Sequence, residues 1–246
     1  MEAASVTPPD WRVLPVERDL PDKLLDRSVA LLDALGDEPV PMLRWYIPSV
    51  TGIVLGRGQG RLEVAEQDGI GIHMRSSGGG AVLLDTATLS LDVLVPAGHP
   101  WLSDDLGALF DLVGAAWLSA LQGLGVPGLR LHKGPSTTPR SKDARARLIA
   151  SVCYASLGRG ELVAHGRKLV GLAQRRRRHG ALVQCGLLRS WQPRRLLTAL
   201  GVDPLDPEIA AAAVGLDSLM TDPPEDASIM DAVETALSTD PGRRPG

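Results

Sequence analysis

Three stretches of the 246-residue chain combine residue types that can do chemistry. In the first, Arg75, Ser76, Ser77, Gly78, Gly79, Gly80 and Ala81 run on to Leu84 and Asp85. Three successive glycines between two strand-like segments let backbone approach a ligand with no Cβ in the way. Their N–H groups can form an anion-binding nest, to which Arg75 adds charge. The same run also fits a glycine-rich hairpin with no ligand. It is not a phosphate-binding Walker loop, because no Gly-Lys-Ser/Thr follows, and it lacks dinucleotide-loop spacing. In the second stretch, Gly166 to Gln174, Lys168 sits among apolar residues on a strand bounded by Gly166 and Gly171. Facing inward, such a lysine needs a phosphate, a carboxylate or a carbonyl as partner. On a sheet edge its stem would simply lie along the surface. The third stretch places Cys153 and Tyr154 ahead of Glu161 and Leu162. A lone cysteine is commonly a small buried hydrophobe, and at an unperturbed pKa only about 3% is thiolate at pH 7. A cation raises that fraction, and Lys168 can supply one if the two segments form a hairpin around Gly158–Gly160.

Taken together and in this order, the stretches resemble the biotin/lipoate ligase superfamily catalytic domain, specifically lipoate-protein ligases and cysteine octanoyltransferases. Arg75 to Asp85 is similar to the family's Arg-Arg-x-x-Gly-Gly-Gly-x-Val-x-His-Asp signature, and Gly166 to Gln174 to its Gly-Arg-Lys segment. Upstream, Leu43 to Tyr46 and Val54 to Gln59 resemble a strand pair ending in Leu-Gly-x-x-Gln. The resemblance covers roughly residues 20–200. It implies a mixed sheet flanked by helices, related to class II aminoacyl-tRNA synthetases and biotin synthetases. It further implies an acyl tunnel lined by the glycine strand, with Lys168 at the acyl carbonyl or an adenylate phosphate. Arg75, Ser76, Ser77, Gly78, Gly79, Gly80, Ala81, Gly171, Ala173 and Gln174 then contact substrate, while Cys153 and Lys168 are catalytic.

The resemblance leaves three activities open. Cys153-Tyr154 and Glu161-Leu162 match the octanoyltransferase spacing without a gap, which favours acyl transfer through a cysteine thioester. That route takes an acyl carrier protein as donor and a lipoyl domain as acceptor, and uses no cofactor. A ligase would instead take free lipoate, ATP and Mg2+. A non-catalytic acyl or adenylate binder is the third alternative. It is motivated by departures from the signature: Ser76 replaces the second Arg, Leu84 the His before Asp85, and Cys185 the His of a Gln-His-Gly segment. His179 is too close to Lys168 to fill that last place. Cys185 is the second-choice nucleophile.

Composition sets the frame for these residues. The hydrophobic fraction, 44%, supports one sizeable core, and 27 glycines with 19 prolines predict many tight turns. A net charge of -3 gives nucleic acid no general attraction. The basic run Arg175–Arg178 reads either as a solvated turn or as a face for an acidic carrier or lipoyl domain. Two cysteines cannot form a disulfide framework. The histidines and cysteines have no metal-ligand spacing, so no metal is predicted. With no signal-like N-terminus and no apolar stretch of membrane length, the expectation is a cytoplasmic protein, monomeric and off the membrane.

The elements that must position the site read as α+β. Residues 1–20 are expected to be an extended arm, residues 21–220 the catalytic domain, and residues 221–246 a weakly ordered tail. Helices are predicted from about Asp22 to Leu35, from a Ser103 cap to Leu124, from Pro193 to Leu200, and from Asp206-Pro207 to about Met220. Strands are predicted at Met42–Ile47, Gly52–Leu55, Ile70–Arg75, Ala81–Leu84, Leu89–Val95, Ile149–Tyr154, Glu161–Ala164, Lys168–Ala173 and Ala181–Leu188. Residues 133–147 read as a polar loop.

Overall fold

The computed structural model describes residues 11–67, 69–139, 141, 143–202 and 206–239. Its larger sheet has seven strands: β1 (Arg12–Asp19), β2 (Met42–Pro48), β6 (Thr88–Pro96), β7 (Leu129–Leu131), β8 (Leu162–Ala164), β9 (Arg167–Arg177) and β10 (Gly180–Leu188). Their order is β1-β2-β6-β10-β9-β8-β7, and only β1 and β2 pair in parallel. A second sheet holds β3 (Gly52–Leu55) between β4 (Gly71–Met74), parallel to it, and β5 (Val82–Leu84), antiparallel. The mixed sheets flanked by helices are the α+β architecture expected.

Strand parity separates two cores. Leu89, Leu91, Val93 and Val95 of β6, with Ala181, Val183, Cys185 and Leu187 of β10, face helices α2 (Ala108–Gly123) and α6 (Asp226–Ser238). The opposite face meets α1 (Pro21–Ala34), whose Leu31 and Leu32 pack on Leu94 and Leu182. Further along, Leu24 and Leu25 of α1 meet Tyr46, Val54 and Leu84, so helix, small sheet and large sheet converge there. Pro21 suits the first helical turn of α1, where its missing N–H costs nothing. A buried polar network crosses this layer. The fully buried Arg44 pairs with Asp92 at 2.8 Å and with Glu17 at 2.6 Å, and also donates to Ser28 Oγ. Burial pushes the Asp92 carboxyl up, and Arg44 opposes that rise.

Several expectations need correcting. Residues 12–19 of the expected extended arm form edge strand β1, held by parallel pairing to β2; residues 1–10 lie outside the described set. The α2 helix begins at Ala108 without a side-chain cap, and Ser103 spends its hydroxyl on the Asp105 carbonyl instead. Ile149–Tyr154 is not a strand. Asp143 caps a helix, α3 (Ala144–Ser151), by accepting from Ala146 N at 2.7 Å, and a 3-10 turn, Cys153–Ala155, follows. The cap overrides the local β preference of the Ile and Val side chains. A short α4 (Arg194–Ala199) comes next. Asp206 does cap α5 (Pro207–Ala212), but that helix stops where Ala213 bridges to Lys168. The tail is not weakly ordered over 226–238, because Ile229, Val233 and Leu237 bury one stripe of α6 in the main core. Its final PGRRPG segment lies outside the described residues.

Candidate active site

The glycine loop is built from its own backbone. Arg75, nearly buried, donates through Nη2 to Gly78 O at 2.9 Å and Gly80 O at 2.8 Å. Its charge is therefore spent on loop carbonyls and does not complete an anion nest, which corrects that expectation. Ser77 donates to Gln184 Oε1 at 2.6 Å. Gly79 sits at φ +97°, a conformation L side chains rarely adopt. A Cβ on Gly80 would lie 2.6 Å from Cys153 N, and one on Gly56 2.0 Å from Gly79 O. The loop thus abuts the segment carrying Cys153. Ala81 bonds both ways along that seam, its N–H donating to Ser151 O at 2.6 Å and its carbonyl accepting from Cys153 N at 2.9 Å. Gln59 reinforces it, accepting from Gly56 N and donating to Ser151 O, both at 2.9 Å.

Cys153 is half-buried in its 3-10 turn, with Sγ 3.9 Å from Lys168 Nζ. The expected hairpin around Gly158–Gly160 does not form. The chain reverses between β8 and β9, and the cysteine reaches the lysine from the turn after α3. A bulge aims Lys168. Leu162 pairs with Val170 but Val163 pairs with Lys168, so Leu169 is an extra residue on β9. Strict alternation would give Lys168 the face of Val170, in the main core. The bulge instead lays it over Gly171, whose Cβ would come 3.1 Å from Lys168 Cε.

Lys168 is 2% exposed and pairs with Glu161, 3% exposed, at 2.7 Å. This is the partner that an inward-facing lysine requires. Burial acts to lower the lysine's pKa, but Cys153 and Glu161 outweigh it and the net shift is upward. Tyr154 closes the floor, its hydroxyl donating to Gly186 O at 2.7 Å and its ring 5.2 Å from Lys168 Nζ. Gly171 and Gly186 are paired across β9 and β10, and a Cβ on Gly186 would meet the Tyr154 hydroxyl at 2.7 Å. Two facing glycines make the room that Tyr154 and Lys168 fill.

Beyond this head lies a narrow cleft, partly open to solvent. Leu25, Tyr46, Val54, Val82 and Leu84 form its apolar end, while Arg75, Cys153 and Tyr154 form its polar end. Gly171, Ala173 and Gln184 line the stretch between.

Of the expected site residues, Arg75, Cys153, Gly171, Ala173 and Cys185 line this cleft, whereas residues 76–81, Lys168 and Gln174 do not. Gln174 alternates away from Gly171 and Ala173 and turns its amide toward the Leu106 carbonyl, 3.1 Å away. Cys185 is 3% exposed and packs in the main core, and burial pushes its thiol well above the ordinary cysteine range. Ser76 presents its carbonyl to Arg175 at 3.2 Å, and Arg176 donates to Ser103 O at 2.8 Å. Arg175, Arg176 and Arg177 thus end β9, Arg178 lies in the turn that follows, and two members of the run brace loops. Glu161, Gln184, Gly186 and the floor role of Tyr154 escape a reading of the sequence alone. For Glu161 the signal was the lysine's need for an anion. Among the described residues, no group of three or more His, Cys, Asp or Glu side chains could hold a metal, and no helix is long and apolar enough to cross a membrane.

In this mixed sheet a glycine loop abuts a cysteine–lysine pair, and the cysteine lines an apolar cleft. The chain belongs to the lipoyl protein ligase A/B catalytic domain family, whose model matches residues 25–234. It is 26% identical over 189 residues to octanoyltransferase LipM of Macrococcus caseolyticus, covering 71% of this chain and 66% of that protein. With octanoyltransferase LipM of Staphylococcus epidermidis it shares 29% identity over 157 residues, 58% of this chain and 54% of that one. The chain thus spans between about half and two thirds of these relatives' lengths. In fold it is similar to a bipartite lipoate protein ligase of Thermoplasma acidophilum, at TM-score 0.68 and 17% identity, covering 94% of this chain and 83% of that one. Lipoate-bound LipL1 of P. falciparum aligns at TM-score 0.65 and 14% identity, covering 92% of this chain and 59% of that one.

Proposed function

We propose that this protein is an acyltransferase that moves an octanoyl or lipoyl group onto the lysine of a lipoyl domain through a thioester on Cys153. The observation that carries the reading is Cys153 Sγ, 3.9 Å from Lys168 Nζ, at the polar end of an apolar cleft. In the first half-reaction the Cys153 thiolate attacks the carbonyl of a carrier-bound acyl thioester. The carrier sulfur leaves and takes up a proton. In the second, the acceptor lysine's neutral amine attacks the acyl-enzyme, an amide forms, the amine gives up one proton to solvent, and Cys153 leaves as the thiolate. The alkyl chain lies among Leu25, Val54, Val82 and Leu84, with Gly171 and Ala173 leaving space beside it. The Lys168 ammonium stabilises negative charge at the head of the cleft.

An uncharged thioester suits this cleft better than a carboxylate. Lys168 has its three donors, and Arg75 its Nε and Nη2 donors, engaged by oxygens of the protein. This route uses neither nucleotide nor Mg2+. An acyl carrier protein is the proposed donor, and the protein acts as a cytoplasmic monomer. Incubation with octanoyl carrier protein adds one octanoyl mass to the chain, and Cys153→Ala abolishes the adduct and the transfer. Undiminished transfer by Cys153→Ala would overturn the reading. Release of pyrophosphate with free lipoate and ATP would replace it with a ligase.

A further inference from the structure

The surroundings of Lys168 assign a role to Glu161. An ammonium has three N–H donors. All three have oxygen acceptors here: Glu161 Oε1 at 2.7 Å, Cys153 O at 2.9 Å and Ser156 O at 3.1 Å. The Cys153 sulfur is a fourth and longer contact, at 3.9 Å. Glu161 is fixed independently of the lysine, because Oε1 also accepts from Leu172 N at 3.0 Å and Oε2 from Gly158 N at 2.6 Å. One backbone donor comes from β9 and the other from the loop that follows Cys153, so the carboxylate sits where folding puts it.

We propose that Glu161 is the counter-ion of the site: it holds Lys168 as an ammonium and withholds that charge from the Cys153 sulfur while the cleft is empty. The inference rests on the reading of Cys153 as the nucleophile. Its logic is Coulombic. Ionising Cys153 beside a neutralised Lys168–Glu161 pair adds an uncompensated charge to a buried site. Ionising it beside Lys168 alone completes an ion pair. The carboxylate thus keeps the resting thiol quiet while the amine stays protonated for the acyl group. The other titratable groups facing the pair are Arg75, Tyr154 and, behind Tyr154, Cys185. Burial raises the pKa of Tyr154 and of Cys185 well above their ordinary ranges, so both stay neutral. Arg75 is present in every variant considered below.

The test is the rate of Cys153 alkylation by iodoacetamide between pH 5 and pH 10, read as the Cys153 peptide by mass spectrometry. Cys185, buried, serves as an internal check of folding. Glu161→Gln keeps the side-chain shape and removes the charge. Its alkylation midpoint moves to lower pH by about one unit, which is roughly tenfold faster reaction below the wild-type midpoint. Glu161→Asp, which restores the charge, retains the wild-type midpoint. A Glu161→Gln midpoint that is unmoved or displaced upward would overturn the proposal. If Glu161→Gln fails to fold, a Glu161→Asp midpoint displaced as far as that of a Lys168→Met variant would overturn it as well. The assay uses no acyl substrate, so its failure leaves the octanoyl-adduct experiment standing, and the reverse also holds.

Discussion

Gly80 shows how little tolerance the loop has. A methyl there would collide with Cys153 N at 2.6 Å and the Val152 carbonyl carbon at 2.8 Å, backbone atoms that cannot turn away. Gly80→Ala is expected to cost about 1–3 kcal/mol in urea unfolding and to displace the thiol, lowering acylation rates. Gly78, with nothing within 4 Å of its Cβ position, is the control. Gly78→Ala stays within about 1 kcal/mol of wild type. At this scale the sequence displays residue types but not their directions. Lys168 and Cys153 are recognisable because a lysine among apolar neighbours and a cysteine at a motif spacing are chemically marked. Gln174 and Cys185 carry the same kind of mark. Parity along β9 and β10 turns one toward Leu106 and the other into the main core. Arg75 is legible as a buried cation, yet its obligation to Gly78 O and Gly80 O depends on a loop conformation no motif prints.

Between elements, the buried Arg44 joins α1, β1, β2 and β6 through Ser28, Glu17 and Asp92. Two charges out of water stabilise little by themselves, but removing one partner strands the other. Asp92→Ala is expected to lose about 3–5 kcal/mol of unfolding free energy in urea titration. The double variant Arg44→Met, Asp92→Leu recovers most of that loss, and failure to recover would show that the pair contributes more than mutual neutralisation. Periodic elements such as α1, β6 and β10 are read from the sequence because each repeats one apolar face. The segment around Cys153 is not, since Ile149 to Tyr154 carries strand-forming side chains while its conformation is set by the Asp143 cap. Short α5 is over-read for a related reason. A good cap starts it, but the Ala213–Lys168 bridge ends it, and that contact is non-local.

Across the whole molecule, α6 closes the face of the large sheet that carries no cleft. Ile229, Val233 and Leu237 are fully buried, and Trp45 Nε1 donates to Glu234 Oε1 at 2.8 Å. Leu237→Ala is expected to cost about 2–5 kcal/mol, measured by urea unfolding, with the octanoylation rate of the folded fraction unchanged. The sequence understates that helix because it follows Pro223 and Pro224, and its worth comes from packing on α2 and β2. The two faces also divide the work, since one is packed for stability and the other keeps a groove open.

The extra residue Leu169 links those faces. Excising it would let β8 and β9 pair without interruption, and the sheet would gain regularity. The same repair would swing Lys168 through half a turn into the hydrocarbon interior, away from sulfur and carboxylate alike. A blemish one residue long in a hydrogen-bonded ladder therefore decides whether this fold carries a buried charge beside the cysteine or leaves that sulfur without one.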